Sequence, residues 1–163
     1  MKKLFNFLFL AATVVSAALV LSSCGDDEEV VEMPQKSNIK FVVDNISDDM
    51  HAFYDITVTY RDLSGTLHKE TVDGRSWEYS ESNGAADAPI YLLIEANLRT
   101  TEVAHEKESY ELRYHYSFNY YKPATKAVSE NPTVWHKTLS RDALTEYLAD
   151  PKNAHILIKS VSR

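Results

Sequence analysis

Six histidines, one cysteine, 24 acidic side chains and ten tyrosines are the reactive groups of this 163-residue chain. The histidines are His51, His68, His105, His115, His136 and His155. They fall at no metal-ligand spacing, since neither H-x-H nor H-E-x-x-H occurs. No metal and no cofactor is expected. His115 alternates onto the polar side of a strand, where a solvated side chain is expected. The run Asp44-Asn45-Ile46-Ser47-Asp48-Asp49 is rich in oxygen ligands. It lacks the glycine and closing glutamate of a calcium loop, and Asx turns between two strands account for it. Only four glycines are present, and they form neither a G-x-S-x-G elbow nor a phosphate-cradling loop. Two carboxylates on one strand at acid–base separation are not evident. No catalytic residue is singled out.

The cysteine carries a different chemistry. One thiol cannot form a disulfide within the chain. Lys2 and Lys3 give a basic start, Leu4 to Leu21 is almost wholly apolar, and Ser22 and Ser23 are small. That order describes a secretory signal over residues 1–23. The apolar run is nearly long enough to cross a membrane as a retained helix, but Cys24 stands where processing occurs. Leu21-Ser22-Ser23-Cys24 resembles the bacterial lipobox. The resemblance implies cleavage before Cys24, a diacylglyceryl group on its thiol and an acylated amino terminus, a modification traceable with palmitate. One acyl chain anchors marginally, at about 0.8 kcal/mol per buried methylene, and two or more anchor stably.

Gly25-Asp26-Asp27-Glu28-Glu29 follows at once. It reads as a solvated linker. It also resembles the acidic export signal of surface lipoproteins in Bacteroidota-type Gram-negative bacteria. That likeness implies a lipid-anchored protein of the outer membrane, on the cell surface, with the periplasmic face as the alternative. Residues 24–37 are an acidic, flexible tether containing Pro34. Removing residues 1–23 takes away Lys2 and Lys3, leaves 140 residues and moves the side-chain charge from −7 to −9. Such an acidic balance argues against nucleic acid as a partner.

Period-two alternation dominates residues 38–163, which read as one domain. From Tyr110 to Tyr120 the even positions are Tyr110, Leu112, Tyr114, Tyr116, Phe118 and Tyr120, and the odd positions are polar. Ala52 to Tyr60 repeats the pattern with Phe53 out of phase, and so does Ile90 to Leu98, whose second face is apolar enough for a central strand. Ile39, Phe41 and Val43 begin the fold, and Ala154 to Val161 ends it. A turn at Leu63-Ser64-Gly65-Thr66 makes a hairpin to Leu67–Val72, a polar strand suited to a sheet edge. Trp77 and Tyr79 start another strand after Asp73-Gly74. Ser140 caps one short C-terminal helix, stapled by Leu139 and Leu144 and stopped by Asp150-Pro151. The expected fold is mainly β, an antiparallel β-sandwich (Ig-like or transthyretin-like) of six to seven strands, with a partly closed β-barrel as the alternative.

Aromatic residues supply the candidate binding positions. Tyr110, Tyr114, Tyr116 and Tyr120 share the inward face and read as core. Tyr91 and Tyr121 fall off that face, and Trp77 flanks a loop, as does Trp135. Tyr91, Tyr121 and Trp77 are the candidate binding residues. The domain resembles a group of small surface lipoproteins of Bacteroidota-type bacteria. The likeness covers most of residues 38–122 and rests on Tyr54-Asp55-Ile56-Thr57-Val58-Thr59-Tyr60, Ser64-Gly65, Thr71-Val72, Trp77 and Tyr114-His115-Tyr116-Ser117. No activity is assigned to that group, so no functional residues carry over. The expectation is a non-catalytic module that binds a glycan or an envelope protein, held on the membrane through Cys24. A structural or assembly subunit using edge-strand pairing at Leu67–Val72 is the second class, and a small hydrolase the third.

Overall fold

The computed structural model describes residues 36–103, 107–124 and 126–163. Cys24 with its lipobox, the leader 1–23, tether residues 24–35 and His105 lie outside the described residues. In chain order the elements are β1 (Ser37–Asp44), α1 (Asp48–Phe53), β2 (Tyr54–Arg61), β3 (Leu67–Thr71), β4 (Trp77–Gly84), β5 (Tyr91–Leu98), β6 (Ser109–Lys122), β7 (Lys126–Ser140), α2 (Arg141–Ala149) and β8 (His155–Ser162). They make two four-stranded antiparallel sheets, ordered β4-β1-β6-β7 and β3-β2-β5-β8. The strands form a β-sandwich, not a closed barrel.

Alternation explains the core. The even-numbered residues of β6 from Tyr110 to Tyr120 are all buried. In register they face like-minded neighbours: Phe41 of β1 sits opposite Phe118, and Val58 of β2 opposite Ile94 of β5. The inner faces of both sheets join one hydrophobic cluster, completed by Leu144 and Leu148 of α2. Burying apolar surface is worth about 25 cal/mol per Å², so a strand with one apolar face is stable only when that face is covered.

Two elements depart from the sequence reading. Ala52 and Phe53 belong to α1, not to β2. That removes the phase error at Phe53: as the last helical residue it turns its ring into the core, 6.0 Å from the Tyr110 ring. Ser47, expected in an Asx turn, caps α1 instead. Its Oγ accepts from the Met50 and Arg113 amides, so one hydroxyl ties the helix to β6.

The second departure is β7, which makes eight strands among the described residues where six or seven were expected. It is an edge strand whose residues are all half-buried or exposed, so no apolar stripe marks it. Its register against β6 also shifts between Tyr116 and Phe118, close to Pro132. Proline and a bulge are tolerated at an edge because the outer backbone groups face solvent. Trp135, expected beside a loop, lies within β7 and stacks on Tyr114 at 5.2 Å and 13°.

Other expectations hold. Leu67–Thr71 is an edge strand, paired among the described residues with β2 alone. Gly65 turns the preceding hairpin at φ +90°. Ser140 caps α2 by accepting from the Ala143 amide.

Candidate functional site

The three aromatic residues singled out by sequence are placed on three different surfaces. Tyr91 opens β5 and points away from Leu92, onto the outer face of its sheet. Tyr121 lies on the outer face of the other sheet, opposite Asn38 and Ala127. Trp77 sits opposite Val43, so its ring turns inward at the flank of the sandwich. They form no common patch.

Trp77 belongs to a cluster that closes the flank between edge strands β3 and β4. Its indole N–H donates to Glu70 at 2.7 Å, and the Tyr60 hydroxyl donates to the same carboxylate at 2.7 Å. These two bonds, the indole's first, hold Glu70 below the usual carboxylate range. Burial, then the bond to Glu70, pushes the Tyr60 phenol up to about 12. The Tyr60 ring stacks on His68 at 5.0 Å and lies 4.3 Å from Tyr79. Tyr79 donates to Glu81, which also accepts from the Leu63 amide. His68 donates to Asp62, whose other oxygen accepts from Ser64 and Thr66. Those bonds, led by the Ser64 hydroxyl and then His68, hold Asp62 far below the carboxylate range. The rings touch one another, and the carboxylates accept the hydrogen bonds they donate. This cluster seals an edge with inward-pointing charges.

The other described histidines are also engaged. His155 donates to Glu95 at 2.8 Å, and His136 lies 3.1 Å from Glu111. His115 corrects the expectation of a solvated ring: only 22% of its side chain is exposed, and it faces Asp44 at 3.5 Å and Asn45 at 3.1 Å. No group of three or more His, Cys, Asp or Glu side chains suited to a metal occurs among the described residues.

The open concavity lies at the α1 end of the sandwich. It is a basin of about 440 Å³ lined by α1, the start of β2, the end of β3, the β3–β4 turn and Arg99. Its walls carry Asp48, Asp55, Asp73, His51, Arg75 and Arg99. Sequence reasoning missed it, because these residues are up to 51 positions apart and only α1 brings them together. Arg75 forks onto Asp48 at 3.0 and 2.7 Å. Arg99 donates to the carbonyls of His51 and Ala52 at the end of α1, and its other nitrogen stands 3.6 Å from Asp55. His51 Nε2 donates to the Gly74 carbonyl at 2.8 Å. Asp73 has no partner among the described residues, and Thr71 adds a hydroxyl to the wall. The basin therefore alternates fixed guanidinium donors with carboxylate acceptors, two arginines against three aspartates. No family model matches the chain, and neither a curated protein nor a solved structure is similar to it at a significant level.

Proposed function

We propose that this chain is a lipid-anchored protein of the outer membrane whose β-sandwich is a non-catalytic binding module, with a glycan as its ligand. The observation that carries the binding reading is the basin. Its arginines are fixed by Asp48 and by backbone carbonyls, so they are pre-organised before any ligand arrives. Asp73, Asp55 and Thr71 supply acceptors and a hydroxyl between them. A polyhydroxylated ligand, in which every hydroxyl both donates and accepts, matches such an alternation. A protein partner presenting mixed polar side chains is the other member of the same class. The anchor rests on Leu21-Ser22-Ser23-Cys24.

The test has two arms. Glycan arrays probed with the chain, and then with Asp73→Ala, examine the basin. Asp73 is exposed, so its loss should abolish binding and leave the fold intact. No binding to any glycan or envelope protein would remove this reading. Palmitate labelling of cells examines the anchor. Label should vanish in Cys24→Ala, and persistent label would overturn the lipobox.

A second reading, assembly through an edge, is favoured by β3. This strand is short and, among the described residues, unpaired on one side, and Leu67 at its start is 55% exposed. Its inward His68 and Glu70 and its outward Lys69 are edge-guarding residues, which weighs toward the first reading.

A further inference from the structure

The opposite flank of the sandwich is not sealed in the same way. Among the described residues both sheets end there in edge strands, β7 and β8, each paired on its inner side only. Helix α2 follows β7 directly and closes one half of this flank with Leu144 and Leu148. The other half remains a groove of about 360 Å³ between the two edges. Its floor is core: Phe118 and Tyr120, whose rings stack at 6.2 Å and 13°, with Val128 and Val161 beside them. One ion pair crosses it. Lys159 of β8 turns inward, lies 5.0 Å above the Phe118 ring and reaches Glu130 of β7.

The charge of this groove runs against the rest of the molecule. Its lining holds the side chains of Lys159 and Arg163 against one acidic side chain, Glu130. Lys122 and Lys126 stand opposite each other at the end of the β6–β7 hairpin. Lys122 has the strand parity of Tyr120, and Lys126 turns the chain at φ +61°, so the two lysines stand at the hairpin end next to the Tyr120–Val128 rung of the groove. In a chain of net charge −7, this is a concentration of cations around an apolar slot.

The backbone completes the picture. The outer edge of β8 over Lys159–Ser162 has no neighbouring strand among the described residues. Its outward residues there, Ser160 and Ser162, are short, and no proline interrupts it. Unpaired amide and carbonyl groups beside an apolar slot are the elements of recognition by strand addition, in which backbone bonds give affinity and alternate side chains enter pockets.

We infer that this groove binds an extended acidic segment of a partner protein. The segment adds to the free edge of β8. Its apolar side chains, at alternate positions, enter the slot beside Lys159, over Tyr120 and Val161, and its carboxylates meet Arg163, Lys122 and Lys126. The inference is independent of the basin at the α1 end, which lies in other elements and has its own test.

Fluorescence anisotropy with the full chain and a fluorescein-labelled Glu-Val-Glu-Val-Glu-Val-Glu peptide tests it. The peptide should bind. A Lys-Val counterpart should not. A version N-methylated at alternate backbone nitrogens, which keeps the charges and removes strand pairing, should bind at least about tenfold more weakly. Lys122→Glu/Lys126→Glu should weaken binding by about tenfold or more, and circular dichroism should show an unchanged fold. Equal binding of the N-methylated peptide would overturn the inference. So would indifference to peptide charge, or binding of polygalacturonate in place of the peptide, which would make the site a glycan site. The two peptide controls use the unmutated protein, so they decide the matter even where the double variant fails to fold.

Discussion

The Glu70 carboxylate and the Trp77 indole join the edge strands of opposite sheets through one 2.7 Å bond. Glu70 lies on β3 and Trp77 on β4, and Tyr60 donates to the carboxylate's other oxygen. Glu70 is thus one acceptor held from both sheets at once.

Glu70→Ala should cost about 1 kcal/mol, the scale of hydrogen bonds to a carboxylate discounted for a solvent-facing site. Urea denaturation measures it. In a Trp135→Phe background the remaining emission comes from Trp77 and should shift to the red as the indole loses its acceptor and meets water. An unchanged midpoint and spectrum would make the clamp incidental.

Acid should weaken the fold through the same groups. Glu70, held down by Trp77 and Tyr60, and Glu130, held down chiefly by Lys159, both titrate below the usual carboxylate range. Such groups contribute stability that is fully present above the ordinary value of about 4 and is lost as pH falls through their folded values. Alkali acts with the opposite sign on Tyr60. Its phenol is raised to about 12, so its contribution is present below an ordinary value of about 10 and fades as pH rises through about 12. Denaturation midpoints across pH should be flat from about 6 to 9 and fall on both sides. In Glu70→Gln the acid-side fall should be shallower.

Gly84 admits no side chain. A Cβ there would stand 2.5 Å from the Leu63 Cβ, and Leu63 is buried beneath it. Gly84→Ala should therefore cost about 1–3 kcal/mol by overpacking. Gly74→Ala is the control: its nearest contact would be 3.8 Å away, at the Ser76 carbonyl. It should stay within about 0.5 kcal/mol of the unaltered protein. Thermal melts of the two variants compare them directly.

Much of the fold was legible because alternation is local. In β2, β5 and β6 each inward residue declares itself by its neighbours two positions away, and Gly65 and Ser140 mark a turn and a cap through their own backbone and hydroxyl chemistry. The edge character of β3 followed from His68, Lys69 and Glu70. The same local logic failed for β7, whose edge position exposes both faces and whose bulge breaks the period. It failed for α1, where six residues are too few to show a helical stripe.

The sites lay further from reach. Strand parity separated Tyr91 and Tyr121 from the core, but parity does not say which sheet a strand joins, and the two residues fall on opposite outer faces. Arg75 meets Asp48 across 27 positions, and Lys159 meets Glu130 across 29. Such meetings depend on the strand orders β4-β1-β6-β7 and β3-β2-β5-β8. Sequence by itself determined the alternation, the turns, the acidic balance and a lone cysteine in a lipobox-like setting, all properties of neighbouring residues. The tertiary structure alone decided which edges stay open, which carboxylates are taken and where a basin forms, because those depend on pairing between strands that the chain keeps far apart.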